Sequence, residues 1–288
     1  MELTSVKTIR SIQDKFGFTF KKGLGQNFLT SRDVLLKIVE AADAKDGVIE
    51  VGPGFGVLTQ ELARSSQKVV TIELDDRLLE VLDYTLAEFD NVLVVHGDIL
   101  KTDIEKLIEE EFGGKEISIA ANLPYYITTP IIAKLLEDKL PIKNIVVMIQ
   151  KEVADRICAK PGSKDFGAIS VMCQYYAKPE IVTIAKAGMF CPPPKVDSAV
   201  LKLKMLDEPS VRVKDEKLFF KTVKAAFSQR RKTLLNCLAS SFNLTKDKLT
   251  KILLSVDISP QRRGETLSLE EFRALSDAIF EEGNKDEI

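Results

Sequence analysis

The 288-residue chain reads as an α/β fold, a doubly wound parallel sheet followed by a small α-helical domain. Three observations predict it. Short, continuous apolar runs alternate with helical patterns through the first two-thirds of the chain, as strands buried on both faces require. A glycine-rich loop joins the first of these runs to a helix. Beyond Leu206 the strand-like texture stops and helical periodicity continues alone.

In order, the strands are Val48-Ile49-Glu50-Val51, Val69-Val70-Thr71-Ile72-Glu73, Val92-Leu93-Val94-Val95, Ile117-Ser118-Ile119-Ala120 and Ile145-Val146-Val147-Met148. Two later runs, Ile181 to Ile184 and Ala199 to Leu203, extend the sheet. The second alternates with Lys202 and Lys204, as an edge or antiparallel strand does. From Asp215 onward the pattern is helical, with Phe220, Val223, Phe227 and Leu234 on one stripe. A boundary near Leu206 to Ser210 divides a larger domain, 1-206, from a smaller one, 207-288. That division suits the length, and 45 % hydrophobic residues suffice for a core. No internal repeat or low-complexity tract is visible.

The charge balance, 41 basic against 43 acidic side chains, does not suggest a dedicated basic nucleic-acid binder. The smallest counts exclude most. A serine-histidine triad has only His96 to use, and the four cysteines, Cys158, Cys173, Cys191 and Cys237, contain no C-x-x-C pair. A metal knuckle, a redox motif and a disulfide framework are therefore not expected, and a reducing, cytoplasmic location is. No run approaches the 18 or so apolar residues of a membrane span, and MELTSVKTIRSIQDKF lacks the apolar centre of a signal peptide. A soluble protein without a membrane partner is the expectation.

The first strand ends in Glu50-Val51-Gly52-Pro53-Gly54-Phe55-Gly56 and runs into the helical pattern Val57-Leu58-Thr59-Gln60-Glu61-Leu62. Glycines let the backbone turn sharply and approach a ligand, and the helix start offers unpaired N–H groups. The spacing is G-x-G-x-G, not the G-x-G-x-x-G of pyrophosphate-binding folds. Strand two ends in Glu73, 21 residues after Gly52, where a carboxylate suits two ribose hydroxyls. Strand three ends in Gly97-Asp98 and strand four in Asn122, so polar groups mark four successive strand tips, where open α/β sheets bind ligands.

Strand four continues as Asn122-Leu123-Pro124-Tyr125. The exocyclic amine of adenine is a poor nucleophile because its lone pair is delocalised into the ring. Hydrogen bonds from that amine to the Asn122 side-chain oxygen and the Leu123 carbonyl draw the nitrogen toward tetrahedral geometry and free the lone pair. Pro124 stiffens the turn that aims both acceptors, and Tyr125 is placed to stack on the base. No general base is needed, which suits a chain with one histidine.

These residues resemble the ribosomal RNA adenine N6-dimethyltransferases, most closely the bacterial branch acting on two adjacent adenines of small-subunit (16S) rRNA. The resemblance spans nearly the whole chain: Lys22-Gly23-Leu24-Gly25-Gln26-Asn27-Phe28-Leu29, the glycine loop, Asn122-Leu123-Pro124-Tyr125, Phe190-Cys191-Pro192-Pro193-Pro194-Lys195-Val196-Asp197-Ser198-Ala199-Val200 and Gln229-Arg230-Arg231-Lys232-Thr233. It implies a Rossmann-like methyltransferase domain that takes S-adenosyl-L-methionine, leaves S-adenosyl-L-homocysteine and needs no metal. It also implies that Asn27, Leu29, Gly52, Gly54, Gly56, Glu73, Asp98 and Asn122 bind that cofactor, with Glu73 at the ribose and Asp98 at the adenine ring. The target adenine would be held by Asn122, Leu123, Pro124 and Tyr125, with Phe190 stacked on the other face of the flipped base. Tyr126 departs from the asparagine often found after N-L-P-Y, with little effect expected.

The near-neutral total conceals opposite patches. Residues 211 to 236 carry eight basic and two acidic side chains, whereas residues 265 to 288 carry two basic and eight acidic. Lys217, Lys224 and Arg231 recur every seven residues. With Lys221, Arg230 and Lys232 they are expected to form a basic helical face for the phosphates of a folded RNA. Lys7, Arg10, Lys15, Lys21, Lys22 and Arg32 make the N-terminal stretch basic, and the two surfaces are expected to flank the mouth of the methyl-donor site. The expected partner is 16S rRNA within a 30S subunit or its precursor, met by a monomer. Competing readings are the 23S rRNA branch that gives macrolide resistance, a non-catalytic ribosome assembly factor and a DNA adenine methyltransferase. The triple proline and the Gln229-Arg230-Arg231-Lys232 run favour the small subunit, and the intact Glu73, Asp98 and Asn122 set favours catalysis.

Overall fold

Five parallel strands, with their tips in register, dominate the computed structural model, which describes residues 1–19 and 27–286, side chains through 283. Lys21, Lys22 and the Gly23-Leu24-Gly25-Gln26 part of the first motif lie outside the described residues. In chain order the elements up to the glycine loop are α1 (Val6–Phe16), β1 (Phe28–Leu29), α2 (Arg32–Ala42) and β2 (Val48–Val51). They continue as α3 (Val57–Ser65), β3 (Val69–Glu73), α4 (Leu79–Thr85), β4 (Val92–His96), α5 (Ile104–Phe112), β5 (Ile117–Asn122), α6 (Thr128–Glu137) and β6 (Ile142–Gln150). Then follow α7 (Lys151–Ile157), α8 (Ala168–Tyr176), β7 (Ala177–Ala185), β8 (Phe190–Cys191) and β9 (Ser198–Met205). The chain ends in α9 (Glu216–Ala226), α10 (Leu234–Ala239), α11 (Lys246–Ser255) and α12 (Leu269–Asp286). Every strand expected from the apolar runs is present.

The main sheet has the order β4-β3-β2-β5-β6-β9-β7. Strands β2 to β6 are mutually parallel and β9 runs antiparallel to β6, between it and β7, so β9 is antiparallel but not an edge. Every residue of β2 and β3 is buried, which is why these strands are apolar without alternation. The register aligns Val51 with Ile72 and Ala121, and Glu73 with His96. The polar residues that follow each strand therefore emerge along one edge of the sheet. A separate two-stranded pairing, Phe28 with Cys191 and Leu29 with Phe190, ties the N-terminal segment to the proline-rich one.

By contact the chain divides into two units, Met1–Ala154 with Lys178–Met205, and Asp155–Ala177 with Leu206 onward. The segment Asp155–Ala177 thus groups with the helices although it precedes β7. Its attachment is aromatic. Tyr175 stacks on Phe219 (ring centroids 5.0 Å) and Tyr176 on Phe220 (5.6 Å), and the Tyr176 hydroxyl donates to Glu216 at 2.8 Å. Asp215 caps α9 by accepting the Leu218 N–H at 2.8 Å, a contact worth about 1 kcal/mol.

One expectation is corrected here. The stripe from Phe220 to Leu234, and the heptad spacing of Lys217, Lys224 and Arg231, assumed a single helix. Helix α9 ends at Ala226 and α10 begins at Leu234. The start of α10 is held by tertiary bonds, Leu234 N–H to the Arg262 carbonyl (2.7 Å) and Leu235 N–H to the Pro260 carbonyl (3.3 Å), and these override the local periodicity. Lys217, Lys221 and Lys224 share the exposed side of α9; Arg230, Arg231 and Lys232 stand exposed on the connection after it.

Candidate active site

The strand tips open into one cleft. The loop after β2 bends through Gly52, Gly54 and Gly56, all at positive φ (68°, 60° and 83°). At Gly54 glycine is required twice over, because a Cβ there would lie 2.7 Å from the Phe28 ring. That ring is stacked on Phe55 (4.2 Å), so the N-terminal segment closes directly over the loop. Gly52 and Gly54 line the cleft. Gly56 is not among the lining residues; it opens α3, accepting the Gln60 N–H at 3.0 Å.

Glu73, at the tip of β3, is buried yet lines the cleft. Its two carboxylate oxygens accept the backbone N–H of Gly54 (3.2 Å) and of Asp75 (2.8 Å), which clamps the glycine loop against β3. Burial pushes its titration upward and these N–H groups oppose the shift. Asp98, after β4, accepts the Leu100 N–H at 3.0 Å, and its other oxygen faces Lys101 Nζ at 3.9 Å. Asn27 and Leu29 line the same space, Leu29 held opposite Phe190.

At the tip of β5 the Asn122 side-chain amide donates from Nδ2 to the Asn27 carbonyl at 3.1 Å. That bond fixes which end of the amide is which and leaves Oδ1 as the acceptor. Leu123 is anchored by its N–H on the Met148 carbonyl (3.1 Å). The Pro124 carbonyl accepts from the Ile127 N–H and the Thr128 hydroxyl, both at 3.2 Å, making a rigid turn. The Tyr125 hydroxyl pairs with Ser198 Oγ at 2.8 Å, a link between the turn after β5 and the start of β9. Half-burial raises the Tyr125 phenol above its ordinary range, so the ring is neutral. Asn122, Leu123, Pro124, Tyr125 and Phe190 all line the cleft with Glu73 and Asp98.

Among the lining residues that were not singled out from the sequence, one is a carboxylate. Glu50 is fully buried in the middle of β2, accepts the Thr59 hydroxyl at 2.6 Å, and is raised by burial to about 8. A carboxylate inside a four-residue apolar strand just before the glycine loop was the available signal.

The basic residues after Asp215 separate into two kinds. Arg212 pairs with Glu208 (2.6 Å) and Lys214 with Glu281, so neither is a free cation. Lys217, Lys221, Lys224, Arg230, Arg231 and Lys232 are exposed and, among the described residues, have no carboxylate partner. Among the described residues no helix is long and apolar enough to cross a membrane, and no cluster of histidine, cysteine and carboxylate side chains of metal-binding type is present.

Residues 17–275 match the family described as ribosomal RNA adenine dimethylase. The ribosomal RNA small subunit methyltransferase A of Geobacillus sp. (strain WCH70) is 51 % identical over 276 residues, 94 % of this chain and 95 % of that protein. Its namesake in Bacillus mycoides (strain KBAB4) is 49 % identical over 97 % of this chain and 98 % of its own. Among solved structures, a dimethyladenosine transferase from Plasmodium falciparum superposes with a TM-score of 0.73 at 28 % identity, covering 91 % of this chain and 98 % of that one. The 23S rRNA methyltransferase ErmE superposes with a TM-score of 0.67 at 25 % identity, covering 88 % and 100 %.

Proposed function

The chain belongs to the ribosomal RNA adenine dimethylase family, and on that footing we propose that it carries methyl groups from S-adenosyl-L-methionine to the N6 amines of two adjacent adenines in small-subunit rRNA. The products are N6,N6-dimethyladenosines and S-adenosyl-L-homocysteine. Identity of 51 % to a small-subunit relative, against 25 % to the large-subunit enzyme, supports this branch over the macrolide-resistance one. The residues of the cleft fit the cofactor. The loop carries no side chain of its own at Gly52 and Gly54, and the space beside Gly52 is open, which suits close backbone approach; Glu73 and Asp98 are acceptors for hydroxyls and an amine, and Asn122 stands at the far end. When bound, the cofactor supplies an electrophilic methyl on a sulfonium.

The protein's share of the chemistry is positioning and hydrogen bonding. The single observation that carries the reading is the Asn122–Asn27 bond, which orients Oδ1 as an acceptor for the adenine amine. Leu123 and Pro124 hold the adjoining carbonyl on the anchored turn, and Tyr125, braced by Ser198, supplies a flat neutral face. Phe190 is the face we assign to the opposite side of the base. Residues 1-206, without the segment Asp155–Ala177 that groups with the helices, form the catalytic domain in this reading. Residues 207-288 form the RNA-binding one, with Lys217, Lys221, Lys224, Arg230, Arg231 and Lys232 on phosphates. The substrate is 16S rRNA in a 30S subunit or its precursor, met by a monomer in the cytoplasm.

Deleting the gene and mapping both rRNAs by primer extension tests this. Loss of the paired stops in small-subunit rRNA, restored by the wild-type gene but not by Asn122→Ala, is expected; stops lost from large-subunit rRNA instead would overturn it.

A further inference from the structure

Tyr126 is a ring at the cleft to which the proposed reaction gives no role. It is 58 % exposed although it lines the cleft beside Tyr125, and among the described residues its side chain makes no hydrogen bond, ion pair or ring contact. Large aromatic surface left open to water costs free energy, and an unpartnered ring at the rim of a binding site is a site for recognition. The backbone that carries it is not loose. The turn from Pro124 to Ile127 is closed by the Ile127 N–H on the Pro124 carbonyl and braced again by the Thr128 hydroxyl, and α6 starts at once. The turn thus fixes where the ring leaves the backbone, so only the side-chain torsions are left to be ordered when substrate arrives.

Its neighbour on the turn, Tyr125, is tied through its hydroxyl to Ser198 and belongs to the target base. Taking an adenine out of its stack exposes the face of the nucleotide next to it, which loses a stacking partner. An aromatic ring just outside the pocket restores one, and such stacking tolerates any purine because it reads the π-face and not the base edge.

Resting on the proposed activity, and against the sequence-based expectation of little effect at this position, we propose that Tyr126 is the stacking platform for the base adjoining the adenine being methylated, holding the second adenine of the pair while the first reacts. Its hydroxyl has no part in this.

The test uses the whole protein and 30S particles reconstituted with either natural small-subunit rRNA or rRNA in which the neighbouring adenine is uracil, a weakly stacking base. Wild type, Tyr126→Ala and Tyr126→Phe are compared by kcat/KM, with cofactor affinity measured separately. Tyr126→Ala is expected to lower kcat/KM on natural particles by about 5- to 150-fold, the equivalent of about 1–3 kcal/mol per stacked base, through KM for the particle. Cofactor affinity stays unchanged and Tyr126→Phe restores the rate. On uracil particles wild type is expected to fall to the level of Tyr126→Ala, which itself loses little more. A Tyr126→Ala loss of the same size on both particles, or no loss at all, would overturn the proposal. Failure of wild type to methylate either particle would instead remove the proposed activity, and this assignment with it.

Discussion

Replacing Asn122 by alanine separates chemistry from binding and stability in one variant. The substitution deletes one preorganised hydrogen-bonding group from the site, and loss of one such group typically costs about 2.7–4 kcal/mol of transition-state stabilisation, or about 10²–10³ in kcat. The structural cost is smaller. Among the described residues the only side-chain bond lost is Nδ2 to the Asn27 carbonyl at 3.1 Å, a neutral contact worth about 0.5–1.5 kcal/mol, which lowers the melting temperature by a few degrees. A loss of that size leaves the protein folded at assay temperature, so the fall in turnover cannot come from unfolding. Single-turnover methylation at saturating cofactor gives the rate, and equilibrium titration gives cofactor affinity, expected to change by only a modest factor. Asn122→Asp adds a signature. It keeps an acceptor but sets a carboxylate oxygen against the Asn27 carbonyl, so its activity should recover as pH falls and the carboxyl regains a proton to donate. A drop in kcat below about tenfold for the alanine variant, or an equal loss of cofactor affinity, would show that Asn122 is not the acceptor for the amine.

Three other perturbations have definite outcomes. Glu50 titrates near 8 in the folded protein against an ordinary 4.5, so between those values the folded state holds a proton that the unfolded state has lost and stability falls as pH rises. Glu50→Gln keeps an acceptor for Thr59; urea unfolding should then show a flatter pH profile over this window and a gain at pH 8 on the order of a few kcal/mol, and an unchanged profile would mean the carboxyl is ionised. Gly54→Ala meets both a positive φ and the Phe28 ring, and should cost about 1–3 kcal/mol in thermal unfolding and abolish tight cofactor binding. Reversing Lys224 and Arg231 together to glutamate should weaken binding to 30S particles and reduce the slope of log affinity against log salt by about 1–2, with cofactor affinity untouched; an unchanged slope would remove these residues from the RNA surface.

The sheet was legible because each central strand is buried on both faces, and a continuous apolar run such as Val69 to Ile72 has few other uses. The clustering of polar strand tips followed from parallel register alone. What local pattern did not carry was long-range. The bond from Asn122 to Asn27 spans 95 residues and that from Tyr125 to Ser198 spans 73, so the residue types were visible but not their coupling. Helix α9 stopped short of its apparent periodicity because Arg262 and Pro260 capture the chain at Leu234, and residues 155 to 177 joined the helical unit through Tyr175 and Tyr176. The net charge of −2 was misleading for a related reason. It sums an acidic end with a basic set whose ion pairs at Arg212 and Lys214 leave six exposed cations without carboxylate partners among the described residues.

The most direct measurement is incubation of the protein with methyl-labelled S-adenosyl-L-methionine and 30S particles from cells lacking the modification, followed by nuclease digestion and mass spectrometry of the mapped RNA. Label in N6,N6-dimethyladenosine at two adjacent adenines of the small-subunit rRNA is the expected result. Label confined to protein, DNA or large-subunit rRNA would contradict it.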